Sequence, residues 1–140
     1  MRWSVAAPSL GRVRIDRIDH LVLTVADLDR TIAFYVGVLG MTETTFGSGR
    51  KALTFGAHKI NLHRHGHEVE PKAHAPTPGS ADLCLVVDEP LEAVLAELAA
   101  AGVAVEEGPV ERTGARGPIR SVYVRDPDAN LVELSNYLHG

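Results

Sequence analysis

The chain has a single cysteine, Cys84, among 140 residues. No internal disulfide can form, which suits a reducing compartment, and a cytoplasmic protein is expected. Aromatic residues are scarce, at 5% of the chain, so a pocket lined by stacked rings has few rings to draw on. Positive charge is in deficit: 14 Lys and Arg stand against 18 Asp and Glu, a formal net charge of -4. The basic footprint of a nucleic-acid or anionic-membrane partner is therefore missing. No apolar run approaches the roughly 20 residues that cross a bilayer. The opening "MRWSVAAPSLGRVR" holds at most four apolar residues in a row, short of the roughly 7–15 of a secretory segment. Its positive charges and lack of acids allow a transit-peptide reading. A loosely held arm over residues 1–14 is the reading adopted.

What is present is a repeat. "DHLVLTVADLDRTIAFYVGVLGM" from Asp19 and "ADLCLVVDEPLEAVLAELAAAGV" from Ala81 align without a gap over 23 positions. Each copy opens with a β-rich run and continues with apolar residues at helical spacing: Leu28, Ile32, Tyr35 and Leu39, then Leu91, Val94, Leu95 and Leu98. Acids gather at each helix start, and a Gly follows each helix as a C-cap. Three β-like stretches come next: "MTETTF", "KALTF" and "KINLHRH" in the first copy, "VAVEEG", "IRSVYV" and "NLVEL" in the second. "PVERTGARGP" reads as a loop inserted before "IRSVYV".

The pattern predicts an α+β fold of two paired βαβββ modules, helices outside and a cupped sheet surface inside. Module one spans 15–65, a connecting loop 66–80, and module two 81–138, together one domain.

The repeat makes His20 equivalent to Asp82, and Asn61 equivalent to Glu133. Glu133 sits between Val132 and Leu134 in an apolar strand, where an unpaired buried charge is costly. Imidazole, carboxylate and amide oxygen together are a ligand set for a divalent cation, and such an ion would neutralise Glu133. His20 and Glu133 are the first two candidate ligands. The third is expected to be His63, the stronger donor, although the pseudo-symmetry selects Asn61. Asp82 is a further candidate, as ligand or as base.

His65 and His67 of "HRHGH" read as solvated. Cys84 reads as a small buried hydrophobe rather than a nucleophile. Arg120, with the arginines of the inserted loop, and Tyr123 are candidate substrate contacts near the rim.

"IDHLVLTVADLDRTIAFYVGVLGM" and "VYVRDPDANLVEL" resemble the opening and closing signatures of the vicinal oxygen chelate superfamily. This superfamily includes glyoxalases, antibiotic-resistance proteins and extradiol dioxygenases. "KINLH" and "PTPGSADLC" resemble the group of glyoxalase domain-containing protein 5 and its bacterial relatives.

The resemblance spans about residues 15–138. It implies paired modules, a homodimer, and one divalent ion (Zn, Mn, Ni or Fe(II)) held on first and last strands. His20 matches the family's first-strand His and Glu133 its last-strand Glu. Asp82 stands where a His is common, and Asn61 where a Glu or Gln is common. Ala129 replaces the usual Gly of the turn; a positive φ costs an Ala about 1 kcal/mol, so an ordinary type I turn is expected there.

The function implied is a metal-dependent, glyoxalase-like isomerase or lyase acting on a small substrate chelated through neighbouring oxygens. Asn61, Tyr123 and Arg120 would contact the substrate, and Glu133 and Asp82 would serve catalysis. A metal-free ligand-sequestering protein of the bleomycin-resistance type and an Fe(II) dioxygenase are the alternatives.

Overall fold

The computed structural model describes residues 11–139. The expected transit or arm segment lies mostly outside them; residues 11–19 have no regular structure and are exposed.

The elements run β1 (His20–Val25), α1 (Leu28–Gly37), β2 (Thr42–Phe46), β3 (Arg50–Phe55), β4 (His58–Arg64), β5 (Asp82–Val86), α2 (Leu91–Ala100), β6 (Glu107–Gly114), β7 (Gly117–Arg125) and β8 (Leu131–Tyr137). They form two four-stranded sheets, ordered β1-β4-β3-β2 and β5-β8-β7-β6. The first strand of each module lies at an edge, parallel to the last strand, and the remaining pairings are antiparallel. Val22 pairs with Asn61 and Cys84 with Glu133, so the registers of the two modules correspond residue for residue. The architecture is the duplicated βαβββ fold.

Local chemistry sets the helix ends. Asp27 caps α1, its Oδ1 accepting from Arg30 N at 2.9 Å. Pro90 precedes α2 and supplies no side-chain cap. Asn136 of β8 does so instead, its Oδ1 accepting from Leu91 N at 2.9 Å. Gly40 and Gly102 follow the helices with φ of 75° and 72°, left-handed positions that glycine fills without strain.

Alternation along the strands sends one face of each sheet to its helix. Leu23, Val25, Leu53, Ile60 and Leu62 of the first sheet share one continuous core with Val122, Val124, Val132 and Leu134 of the second, together with Tyr35, Leu91, Val94 and Leu98 from the helices. The modules also meet at the turn before β8. Tyr35 donates to Asp126 Oδ2 at 2.7 Å, and Ala26 N donates to the Asp128 carboxylate at 3.3 Å. Both sheets thus back onto a shared interior, and their opposite, polar faces turn away from it.

Two local expectations are corrected. "PVERTG" is strand β6 rather than loop, pairing with β7 across Ala115 and Arg116 through Gly114–Gly117, Arg112–Ile119 and Val110–Ser121. Pro109 is tolerated because the strand is an edge and its register shifts between Glu107 and Val110. Ala129 takes φ 65°, not an ordinary turn conformation. Asp126 Oδ1 accepts from Asp128 N and Asn130 N at 2.9 Å each, and Asn130 Nδ2 donates to Asp126 Oδ2 at 2.8 Å. That network over-determines the turn and imposes the strained φ.

Candidate functional site

Glu133 shows why a carboxylate can occupy an apolar strand. It shares β8's polar face with Ser135, and Ser121 of β7 lies on the same face. Ser121 Oγ donates to Glu133 Oε2 at 2.6 Å, with Ser135 Oγ at 3.4 Å from the same oxygen and 2.7 Å from Ser121 Oγ. Both serines are fully buried. One oxygen of the carboxylate is thereby held, while Oε1 receives no hydrogen bond among the described residues.

Around Glu133 the face is polar. Tyr123 is its cross-strand partner. Burial is the main cause of a raised Tyr123 pKa, and the Glu133 charge adds to it, so the phenol keeps its proton. Arg112 Nε donates to the Tyr123 hydroxyl at 3.1 Å, and Arg112 Nη2 to Glu107 Oε2 at 2.5 Å. Asp82 begins edge strand β5, exposed, one diagonal step from Glu133. Cys84 faces the same way and is exposed, not the buried hydrophobe expected, because an edge strand leaves its polar face uncovered. Partial burial, ahead of the nearby acids, raises its pKa, so it stays a thiol.

The first sheet presents the equivalent face. His20 begins β1, and its Nδ1 lies 2.7 Å from Asp19 Oδ1. With Nδ1 turned to a carboxylate, Nε2 is the ring nitrogen left for a further partner, an arrangement that metal-binding imidazoles use. Asn61 stands one diagonal step away on β4, and its buried Oδ1 has no partner. His63 is buried too, with Nε2 unpartnered. Burial first, and the Arg50 charge second, lower its pKa and favour the neutral ring.

The register separates His63 from His20. Lys59 is level with His20 and Thr24 with His63, so the two imidazoles start about 13 Å apart along the strands. Asn61 lies at the level between them.

Arg120 does not join this group. It points to the helix side of β7, where Nη1 donates to Glu92 Oε1 of α2 at 2.8 Å. Tyr123 lies three residues on, an odd separation, and therefore on the other face. His65 and His67 are exposed beyond the end of β4. Arg116, in the β6–β7 turn, stacks over Tyr137 at 4.9 Å.

Sequence reasoning overlooked Ser121 and Ser135, although both share the strand parity of Glu133. It also overlooked Phe46, Arg50 and Lys59, which share the parity of Asn61.

Among the described residues, no three His, Cys, Asp or Glu side chains of one chain come together as a ligand set. The candidate residues fall instead into two pairs, His20 with Asn61 and Asp82 with Glu133, one on each polar face. A concavity of about 760 Å³ lies elsewhere, between α1 and the β3–β4 turn on one side and β5 and α2 on the other. Its lining is largely aliphatic, with scattered surface acids. The convergent polar groups are on the sheet faces, and the candidate site is placed there.

Comparison with known proteins agrees with this fold. The pattern of the Glyoxalase/Bleomycin resistance protein/Dioxygenase superfamily matches residues 17–134. The virulence protein STM3117 of Salmonella typhimurium is 60% identical over 124 residues, covering 89% of this chain and 86% of that protein. Its crystal structure superimposes with a TM-score of 0.89, covering 90% of this chain and all (100%) of that one. The glyoxalase domain-containing protein RDO1 of Mycosarcoma maydis is 55% identical over 126 residues, 90% of this chain and 71% of RDO1. The lactoylglutathione lyase of Agrobacterium tumefaciens is similar at 25% identity and a TM-score of 0.66, with 87% of this chain and 94% of the lyase covered. With the matched pattern running from before β1 into β8, the chain belongs to the glyoxalase/bleomycin resistance protein/dioxygenase superfamily.

Proposed function

We propose that the protein is a homodimeric, metal-dependent enzyme of the glyoxalase-like isomerase or lyase type, acting in a reducing cytoplasm on a small substrate. The observation that carries this reading is the matched pair of half-sites. His20 and Asn61 occupy one polar face, and Asp82 and Glu133 the equivalent positions of the other.

The donors fit a divalent cation: an imidazole oriented through Asp19, an unpartnered amide oxygen on Asn61, and a carboxylate with a free oxygen on Glu133. His63 was the expected third ligand. Its displacement along β4 makes Asn61 the better third donor. When bound, such an ion supplies a Lewis acid for two neighbouring substrate oxygens.

A second copy of the chain joins the halves. Val22 and Val86 lie on the two polar faces and are 47% and 60% exposed, and Ile15, in the irregular segment before β1, is 85% exposed. Full burial of an exposed Val or Ile is worth about 1.5–3 kcal/mol, and completing it for the half-covered valines about half of that. The first face carries His20, Arg50 and Lys59, and the second carries Asp82 and Glu133. Opposite charge therefore favours the first face of one copy meeting the second face of the other. His20 and Asn61 then share a site with Asp82 and Glu133 of the partner subunit.

The chain's own groups have distinct tasks there. Ser121 and Ser135 hold one oxygen of Glu133 and aim the other. Asp82 is exposed and close enough to Glu133's level to move a proton on the substrate carbon. The protonated Tyr123 hydroxyl donates to a substrate oxygen.

Elemental analysis of protein purified without a chelating tag tests the reading. About one transition-metal ion per chain is expected, lost in both His20→Ala and Glu133→Ala. Absence of metal after Zn, Mn, Ni and Fe(II) are offered would overturn it.

A further inference from the structure

The polar face of the first sheet holds more cationic character than two metal donors need. Phe46 ends β2, and its ring lies under Arg50 Cζ at 4.7 Å and under Lys59 Nζ at 3.9 Å. Neither cation forms an ion pair among the described residues. By contrast, Lys51, on the opposite face of β3, pairs with Glu43 at 2.9 Å.

The β3–β4 register, continued two residues past the Ala52–Asn61 pair, brings Arg50 toward His63, whose ring feels the Arg50 charge. His63 is only 6% exposed, yet its Nε2 has no hydrogen-bond partner, and Asn61 Oδ1 is in the same condition. Buried polar atoms are almost always satisfied, so orphaned ones on a polar sheet face, as these two are, offer a place to a partner from outside the chain. Arg50 and Lys59, laid across an aromatic ring, are held in place with no acid of their own chain paired to them among the described residues. An imidazole N–H and two pinned cations are the donors that an oxyanion takes.

The geometry points to an oxyanion subsite made by His63, Arg50 and Lys59 over Phe46, which receives a carboxylate or phosphate of the substrate. This deepens the proposed function, on which it rests, by naming the substrate class. His63 lies about 6.6 Å along β4 from Asn61. The anionic group therefore sits a few bonds from the oxygens that would meet the metal, and the substrate is a small anion rather than a neutral aromatic drug. The subsite also accounts for His63, which the register keeps apart from His20.

The test uses full-length protein and two probes, inorganic phosphate and acetate, titrated by calorimetry with the imidazole nitrogens of His63 followed by NMR. One probe or both are expected to bind and to shift His63 Nε2, with phosphate or carboxylate preference read from the two arms. Arg50→Gln and Lys59→Gln should each weaken binding about tenfold, the size of one lost charge-assisted contact. Arg30→Gln, an equal charge change on α1, should leave it unchanged.

No binding of either probe would overturn the inference, as would equal weakening in Arg50→Gln, Lys59→Gln and Arg30→Gln, since that is only a net-charge effect. Metal stoichiometry measured on the same samples separates the two claims. Arg50→Gln should keep its metal, and a wild-type protein that binds phosphate at His63 without metal would sink the metal reading alone.

Discussion

Ser121 Oγ lies 2.6 Å from Glu133 Oε2, with Ser121 fully buried and Glu133 only partly so. This contact lets a carboxylate stand between two core residues of β8. Ser121→Ala removes the donor and leaves the oxygen short of a partner, at a cost of about 1–3 kcal/mol. Urea denaturation should show a lower midpoint with an unchanged m value. In a double-mutant cycle with Glu133→Ala, the two costs should be less than additive.

Tyr35 ties α1 to the turn before β8 by donating to Asp126 at 2.7 Å. Burial, and then the Asp126 carboxylate, push the phenol well above its ordinary range. The folded state therefore keeps a proton that the unfolded chain releases near pH 10. The contribution of Tyr35 is full below that pH and falls as pH rises above it. Tyr35→Phe should cost about 1.5–3 kcal/mol at neutral pH. Its stability should also fall less steeply than wild type between pH 9 and about 11, as followed by circular dichroism.

Ala129 holds φ 65° in a turn fixed by Asp126 and Asn130. Ala129→Gly relieves a left-handed conformation worth about 1–2 kcal/mol, against an entropy loss of roughly 0.5–1 kcal/mol. A small gain in stability, up to about 1 kcal/mol, is expected by thermal denaturation; a drop in midpoint would contradict this account of the turn.

Much of the architecture was legible because two periods recur in the same order. The helical spacing of Leu28, Ile32 and Tyr35 and the alternation in "LVLTV" each depend only on near neighbours. What escaped was what depends on distant partners. The cap on α2 comes from Asn136, 45 residues away, and no local signal at Pro90 announces it. Strand β6 was hidden by Pro109 and its glycines, since pairing with β7 decides the conformation there.

The site divides the same way. His20, Asp82, Asn61 and Glu133 follow from the repeat, and the structure places them at equivalent register positions. Arg120 could have been set apart from Tyr123 by parity alone. The distance between His20 and His63 required the β1–β4 register, which turns on a parallel pairing across 39 residues of chain from His20 to Lys59.

A heterodimer of His20→Ala and Glu133→Ala chains tests the central claim most directly. Each homodimer should bind no metal, because every site lacks one ligand. If the half-sites of two copies combine, the purified heterodimer pairs an intact His20 from one chain with an intact Glu133 from the other. It should then bind one metal ion per dimer, half the wild-type content. A heterodimer as empty as its parents, beside a loaded wild type, would contradict a site shared between subunits.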